Sequence, residues 1–485
     1  MDSAPDDAGH VRIPASPLIY EINTWPWLAA LSRVAGRPVT LGDVDDDQWD
    51  AIADGGFDAV WLMGVWRRSP AGVAIARADD PLMAWFASTM PDFEPADVVG
   101  SPYSVRDYVV DDHLGGPAAL AAARRALADR GVGLILDVVP NHVAVDHPWV
   151  TEHPEWFIRG SADDLDRDPG SFVSVGDEVI ANGRDPYFPA WRDVVQVNAF
   201  SEGLRSATLT TVTAIAAQCD GVRCDMAMLV MNDVFARTWG GRAGPIPDDE
   251  FWPAVIDGVR ARHPGFVFIA EAYWDTESAL HADGFDECYG KRFYDTLRDA
   301  PTTLRDVLST EMPDHRRLLR FIENHDEPRA PVAFGDRDRQ AAVAALTQDG
   351  PRLIHQGQLD GRRRRLPVQL GRFADEPVDT DRALFYRALL GVLDTPGLRD
   401  GSLDLCAADD AAPTVIAWTR TAADDDDRWL IVVNVSEEWA AGRVRIGWVN
   451  PPSHMTNPLS GECLPVADDG SVDVSLVAWG WQIYR

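Results

Sequence analysis

Seven apolar runs of strand length recur along the chain: PLIYEINTW, FDAVWLMGVW, VGLILDVVP, CDGVRCDMAML, GFVFIAEAYW, LLRFIENHD and GPRLIHQGQ. Each is close to continuously apolar rather than alternating, which is the pattern of a strand covered on both faces. Helix-length amphipathic stretches separate them. The clearest is GGPAALAAARRALADRG, with glycine at both ends as start and stop signals. Alternating strands and helices predict an α/β fold with parallel strands. Seven or eight such units over roughly 370 residues suit a (β/α)8 barrel with insertions better than an open sheet. A doubly wound sheet would usually carry a glycine-rich phosphate loop, and neither GxGxxG nor GxxxxGKS occurs.

Two stretches break this rhythm. From about 143 to 198 the chain is rich in Pro, Trp and Asp, as in DHPWVTEHPEWFIRGSADDLDRDPGSF. It reads as an irregular excursion, a small inserted domain following the third strand. Beyond about residue 395 the helical period vanishes. PTVIAWTRT, RWLIVVNVS, GRVRIGWV and SLVAWGWQIYR are short strands spaced by turn signals, consistent with a β-sandwich. The expected division is therefore a barrel over 1–142 and 199–394, an insert over 143–198 and a C-terminal all-β domain over 395–485. The run ADDDDR at 423–428 reads as a solvated hairpin turn.

Composition narrows the function. The 485 residues carry a formal net charge of −33, which would repel a phosphate backbone and excludes nucleic acid as a partner. Lys291 is the only lysine, so arginine supplies almost all positive charge. The five cysteines form no CxxC pair and no metal-ligand spacing, which fits reduced thiols in a cytoplasmic protein. MDSAPDDAGH is acidic and lacks the apolar core of a signal peptide, and no apolar run approaches the roughly 18 residues of a membrane span. Nothing in the sequence bears on oligomeric state.

Polar residues gather at the ends of the expected strands, where a barrel carries its active site. Four clusters stand out: DVVPNH (137–142), GVRCD (221–225), AEAYW (270–274) and ENHDEPR (323–329). They offer Asp137, Asn141, His142, Arg223, Asp225, Glu271, His325 and Asp326. Isolated buried charges are expensive, so four such clusters on four strands point to chemistry rather than to loop anchoring. Residues i and i+2 of a strand share a face, which sets Arg223 beside Asp225 and turns Cys224 away into packing.

In this order the four clusters resemble the signature regions of the alpha-amylase family, glycoside hydrolase family 13. GSPYSVRDYVVDDHLGG (100–116) is similar to the family's second-strand segment and GPRLIHQGQ to its last barrel strand. The resemblance implies cleavage of an α-glycosidic bond with retention, which needs a carboxylate nucleophile and a proton donor roughly 5–5.5 Å apart. It implies Asp225 as nucleophile, Glu271 as acid/base and Asp326 as the group that grips the sugar in the transition state. It places His142 and His325 as hydrogen-bond donors to the sugar and Tyr103 as the platform under its ring. Arg223 is expected to keep Asp225 ionised. Glu271 is expected to hold its proton, with Tyr273 and Trp274 as an apolar wall and Asp225 and Asp326 as like charges.

The chain departs from the family pattern twice. Met228 and Leu229 stand where many starch-degrading members carry a Lys-His pair, and Gly100 stands where exo-acting α-glucosidases often have an acid. The resemblance implies no organic cofactor. Calcium is an option through Asn141 and the insert, without a DxDxDG loop to support it. GRRRRLPVQLGR (361–372) follows the last expected strand and reads either as a loop balancing local acidity or as a site for a carboxylate or phosphate. The expected function is a retaining α-glycoside hydrolase or transglycosylase acting on a small α-glucoside or oligosaccharide. A glycoside phosphorylase with an anionic acceptor, or a non-catalytic carbohydrate-binding barrel, are the alternatives.

Overall fold

A computed structural model of the chain describes residues 10–311, 315–407 and 412–485. All but the last residue of the acidic stretch MDSAPDDAGH lies outside the described residues. Eight parallel strands form one sheet: β1 (Leu18–Asn23), β2 (Ala59–Met63), β3 (Gly133–Val138), β4 (Gly221–Cys224), β5 (Val267–Ala270), β6 (Glu287–Tyr289), β7 (Leu318–Leu319) and β8 (Arg352–His355). The order follows the chain from β7 back to β1, and β8 then pairs with β1. A parallel bridge between Arg320 and Arg352 joins β7 to β8 and nearly closes the barrel. All seven apolar runs supply a strand. The eighth, β6, came from no such run: Glu-Cys-Tyr is three residues long and opens on a buried acid.

Helices coat the barrel as their apolar spacing requires. Gly116–Ala128 buries Ala119, Leu120, Ala123 and Leu127 along one stripe. Gly115 precedes it at φ 97°, and a Cβ there would stand 2.6 Å from the Ala119 methyl group, so only glycine fits this start.

The insert after β3 is more regular than its composition suggested. His142–Ala144, Trp191–Gln196, Glu178–Gly183 and Phe172–Val175 lie side by side as a four-stranded antiparallel sheet. Val143, Ile180 and Val195 share its own small core. Val105–Val110, within the second-strand-like segment, is not in the barrel but pairs with Trp66–Arg68.

The C-terminal all-β domain has a four-stranded antiparallel sheet and two two-stranded ribbons around a common core that includes Val415, Leu430, Val444, Met455, Leu464 and Val474. The acidic run does form the turn between Val415–Thr421 and Arg428–Asn434. Asp427, however, is buried and accepts a 2.7 Å hydrogen bond from the Gly397 amide, fixing the short helix Pro396–Arg399 that leads into this domain. No helix among the described residues is long and apolar enough to cross a membrane.

Candidate active site

The ends of β4 and β5 set the first two acids. The Asp225 amide donates to the Val138 carbonyl at 2.8 Å and the Glu271 amide to the Cys224 carbonyl at 3.0 Å, so each residue is the last rung of its ladder. Both carboxyls therefore face the C-terminal mouth of the barrel. Asp326 comes from the loop after β7, folded by the Asn324 side chain, which accepts from the amides of Asp326 and Glu327 at 2.9 Å each.

Arg223 joins these groups. Its Nη1 donates to Asp225 Oδ1 at 2.8 Å, and its Nη2 lies 2.7 Å from Glu271 Oε2 as an ion pair angled off the hydrogen-bond line. Asp137 Oδ1 is 3.7 Å from Nη1, and Nε donates to the Tyr289 hydroxyl at 3.2 Å. The rings of Trp61, Tyr103 and Tyr289 surround the guanidinium at 5.2, 5.2 and 5.6 Å. Three carboxyls and three π faces offset the desolvation of a cation that is 1% exposed. Cys224 points away into the core, as its place in the strand requires.

The protonation of the acids is differentiated by these partners. Burial, helped by Asp225 and Asp326, raises Glu271 to about 7 against the pull of Arg223. Its Oε2 accepts from the Met226 amide at 2.7 Å and its Oε1 from the Tyr273 hydroxyl at 2.8 Å. Tyr273 thus contributes a hydroxyl contact rather than an apolar wall. Trp274 is 38% exposed and turns to meet Tyr187 edge-on at 4.8 Å. Burial also raises Asp225 above the usual carboxylate range, and Arg223 only opposes this. Burial pushes Asp326 up as well, but His325, 2.9 Å away, overrides it and holds Asp326 well below that range.

His325 lies beneath the cavity rather than in its wall. Its Nδ1 meets Glu21 Oε1 at 2.5 Å, and its Nε2 meets the Tyr103 hydroxyl at 2.7 Å. Burial opposes its charge, yet Asp326 and Glu21 raise it to about 10, so it is an imidazolium at neutral pH. Tyr103 stacks on this ring at 5.4 Å and lines the cavity. His142 also lines the cavity, and burial lowers it to about 4, so it is neutral.

The cavity has a volume of about 1240 Å³. Asp225, Glu271 and Asp326 all line it, and nine carboxylates in total face it against three cations, Lys291, Arg292 and Arg365. Of the arginine run only Arg365 reaches the wall. Arg362 packs 4.5 Å over the Phe373 ring, Arg363 is exposed, and Arg364 donates to the Thr89 carbonyl at 3.1 Å. Asn141 spends its amide on Gln196, donating at 3.3 Å and accepting at 2.9 Å. Among the described residues no three His, Cys, Asp or Glu side chains are grouped to hold a metal ion.

At the two departures from the family pattern, Met228 and Leu229 are buried core residues. Gly100 adopts φ 88°, where a Cβ would crowd the Val73 side chain at 3.0 Å. Residues of the site that were not anticipated include Glu21, Trp61, Tyr289, the Met226 amide, Lys291 and Arg292.

These features define a (β/α)8 barrel protein with a carboxylate-lined cavity at its C-terminal mouth. No protein-family model matches the chain. It is 25% identical to the alpha-amylase MalA of Haloarcula japonica, covering 94% of this chain and 62% of that protein. It is 26% identical to an alpha-1,4-glucan:maltose-1-phosphate maltosyltransferase of Rhodospirillum rubrum, over 74% of this chain and 48% of that protein. The chain thus spans less than two thirds of either relative's length. An alpha-amylase crystal structure from Lactobacillus plantarum shares the fold, with a TM-score of 0.67, 20% identity and coverage of 97% of this chain and 98% of that one. In sequence the chain is similar to an alpha-amylase and to maltosyltransferases, and it shares the fold of solved alpha-amylases.

Proposed function

We propose that this protein is a retaining α-glycoside hydrolase or transglycosylase that works through a covalent glycosyl-enzyme. The observation that carries the reading is the single guanidinium of Arg223 between Asp225 and Glu271. It holds two carboxyls on neighbouring strand ends close together, as a retaining mechanism needs. Glu271, at about 7, keeps its proton through much of the neutral range. It protonates the glycosidic oxygen as Asp225 attacks the anomeric carbon and the leaving group departs. Glu271, now a carboxylate, then takes a proton from water or a sugar hydroxyl, which attacks the same carbon and frees Asp225. Asp326, kept ionised by His325, accepts hydrogen bonds from the sugar's hydroxyls, with Tyr103 under the ring and His142 beside it.

Hydrolysis and transfer differ only in which acceptor reaches the intermediate, and the relatives' names include both kinds of enzyme. Nine carboxylates around the cavity favour a neutral sugar over the phosphate of a phosphorylase. A silent binding barrel would have no need of one acid raised to about 7 beside another held well below the usual carboxylate range. The free cysteines are consistent with a cytoplasmic setting. The deciding experiment is a screen of α-glucosides with and without sugar acceptor or phosphate, products identified by NMR. Absence of turnover on every α-glucoside refutes the reading.

A further inference from the structure

We infer that Lys291 is a positioning residue: by tethering Glu327 it fixes the backbone of the neighbouring Asp326, and so aims the carboxylate that grips the sugar. The inference rests on the glycosidase reading above and adds to it a residue from outside the strand ends that carry the acids.

Asp326 lines the cavity with its side chain 39% exposed, between two neighbours that are tied down. On one side His325 is held from below by Glu21 at 2.5 Å. On the other side Glu327 is only 12% exposed. Lys291 Nζ lies 3.2 Å from Glu327 Oε1, and Arg298 Nη1 donates to Oε2 at 3.4 Å, so each oxygen has its own cation. The Tyr294 ring lies 5.0 Å from Nζ and 5.2 Å from the Arg298 guanidinium. Lys291, Tyr294 and Arg298 are positions i, i+3 and i+7 of the helix Lys291–Asp299, which share one face, and that face clasps the loop. Asn324 Oδ1 accepts from the amides of Asp326 and Glu327 at 2.9 Å each, which makes the two residues move together.

The residue type sharpens this. The chain has 44 lysine and arginine residues, and Lys291 is its only lysine. A guanidinium carries its donors in one plane, whereas an ammonium spreads three of them tetrahedrally about a compact charge. Lys291 uses that spread. One carboxylate it meets, Asp295, lies a turn along its own helix, and the other, Glu327, comes from a separate loop. Removing the ammonium strands neither of them, because Arg298 lies 3.4 Å from each. A defect in a variant lacking Lys291 therefore reports the aim of the loop rather than an unpaired buried charge. Displacement of a group that grips the reacting sugar by about 1 Å is enough to cost up to roughly 10²-fold in rate.

The test compares wild type with Lys291→Met, Glu327→Leu and the double variant, each checked for folding by circular dichroism. kcat and KM are measured on a short chromogenic α-glucoside, and the Kd of acarbose by calorimetry. The expected result is a kcat lowered roughly tenfold or more in each single variant, KM changed less than about threefold, and acarbose bound roughly tenfold more weakly. The double variant is no worse than the worse single, because both residues act through the same contact. It also replaces both charges by apolar side chains, so it folds even where a single variant does not. Folded variants with kcat and acarbose affinity within about twofold of wild type overturn the inference, even when Tm falls, since Lys291 then only ties helix to loop. Losses that add in the double variant overturn it as well, because Lys291 would then act on the ligand without Glu327. A wild type that turns over no α-glucoside, yet binds acarbose in a way that Lys291→Met weakens, refutes the glycosidase reading alone.

Discussion

Replacing Arg223 by lysine keeps the charge and removes the fork. The guanidinium now serves Asp225 at 2.8 Å and Glu271 at 2.7 Å with separate nitrogens. A single ammonium on a differently shaped stem holds at most one of them well. The carboxyl left behind loses a charge-assisted contact of about 1.5–3 kcal/mol. At about 1.36 kcal/mol per pKa unit, this raises that group by roughly one to two units. Arg223 lowers both carboxyls, so weakening it can only move them upward. If Asp225 is the group released, the acidic limb of the kcat/KM profile moves up. If Glu271 is released, the basic limb moves up from about 7. The assay is kcat/KM on a short chromogenic α-glucoside over roughly pH 4 to 10, with circular dichroism to establish folding. A folded variant with both limbs unmoved and activity within about twofold of wild type would refute the reasoning, leaving Arg223 a packing residue.

Asp225→Asn and Glu271→Gln each leave the fold intact and lower kcat by at least roughly 10²-fold, and early products of the wild type carry the α configuration by NMR; a β product excludes retention. The wild-type kcat/KM falls as pH rises through about 7, where Glu271 loses its proton, and a flat profile there removes Glu271 as the acid. His325 is raised from 6.5 to about 10, so its stabilisation is complete below pH 6.5 and is lost as pH rises through about 10. Thermal denaturation of His325→Gln therefore shows a shallower loss of Tm between these values than wild type, and equal slopes contradict the assignment. Arg365→Ala alters KM for neutral and anionic α-glucosides alike; a selective rise for the anionic set would revive the phosphate reading.

Seven of eight barrel strands were legible because a strand covered on both faces must be apolar throughout. β6 was not, since three residues beginning with glutamate carry no such signal. The charge inside an apolar strand that exposed Arg223 and Asp225 was equally present as Glu21 in PLIYEINTW. Its meaning, however, depends on His325, 304 positions away, and no local spacing encodes that pairing. The i, i+2 rule gave the contact of Arg223 with Asp225. Its contact with Glu271 comes instead from the register of β4 on β5, where Arg223 pairs with Ile269. The insert was read as irregular because its strands are short and polar, and their partners are set by tertiary packing. The four consecutive arginines diverge, as neighbours on an extended loop must, and one alone reaches the cavity.

The same charge balance that argues against nucleic acid also weighs on the choice of ligand. Of the three cations at the cavity wall, Lys291 is already bound by Asp295 and Glu327, and the positive charge of Arg365 acts on Asp326. An entering phosphate would meet Lys291 already paired with two carboxylates, in a chain whose net charge is −33. A sugar hydroxyl meets no such conflict, because it donates to a carboxylate and accepts from a cation without altering either charge. The lysine matters here as a compact donor: its ammonium keeps a third proton for a ligand after serving Asp295 and Glu327. The wall that Lys291 begins therefore favours neutral polyols over anions.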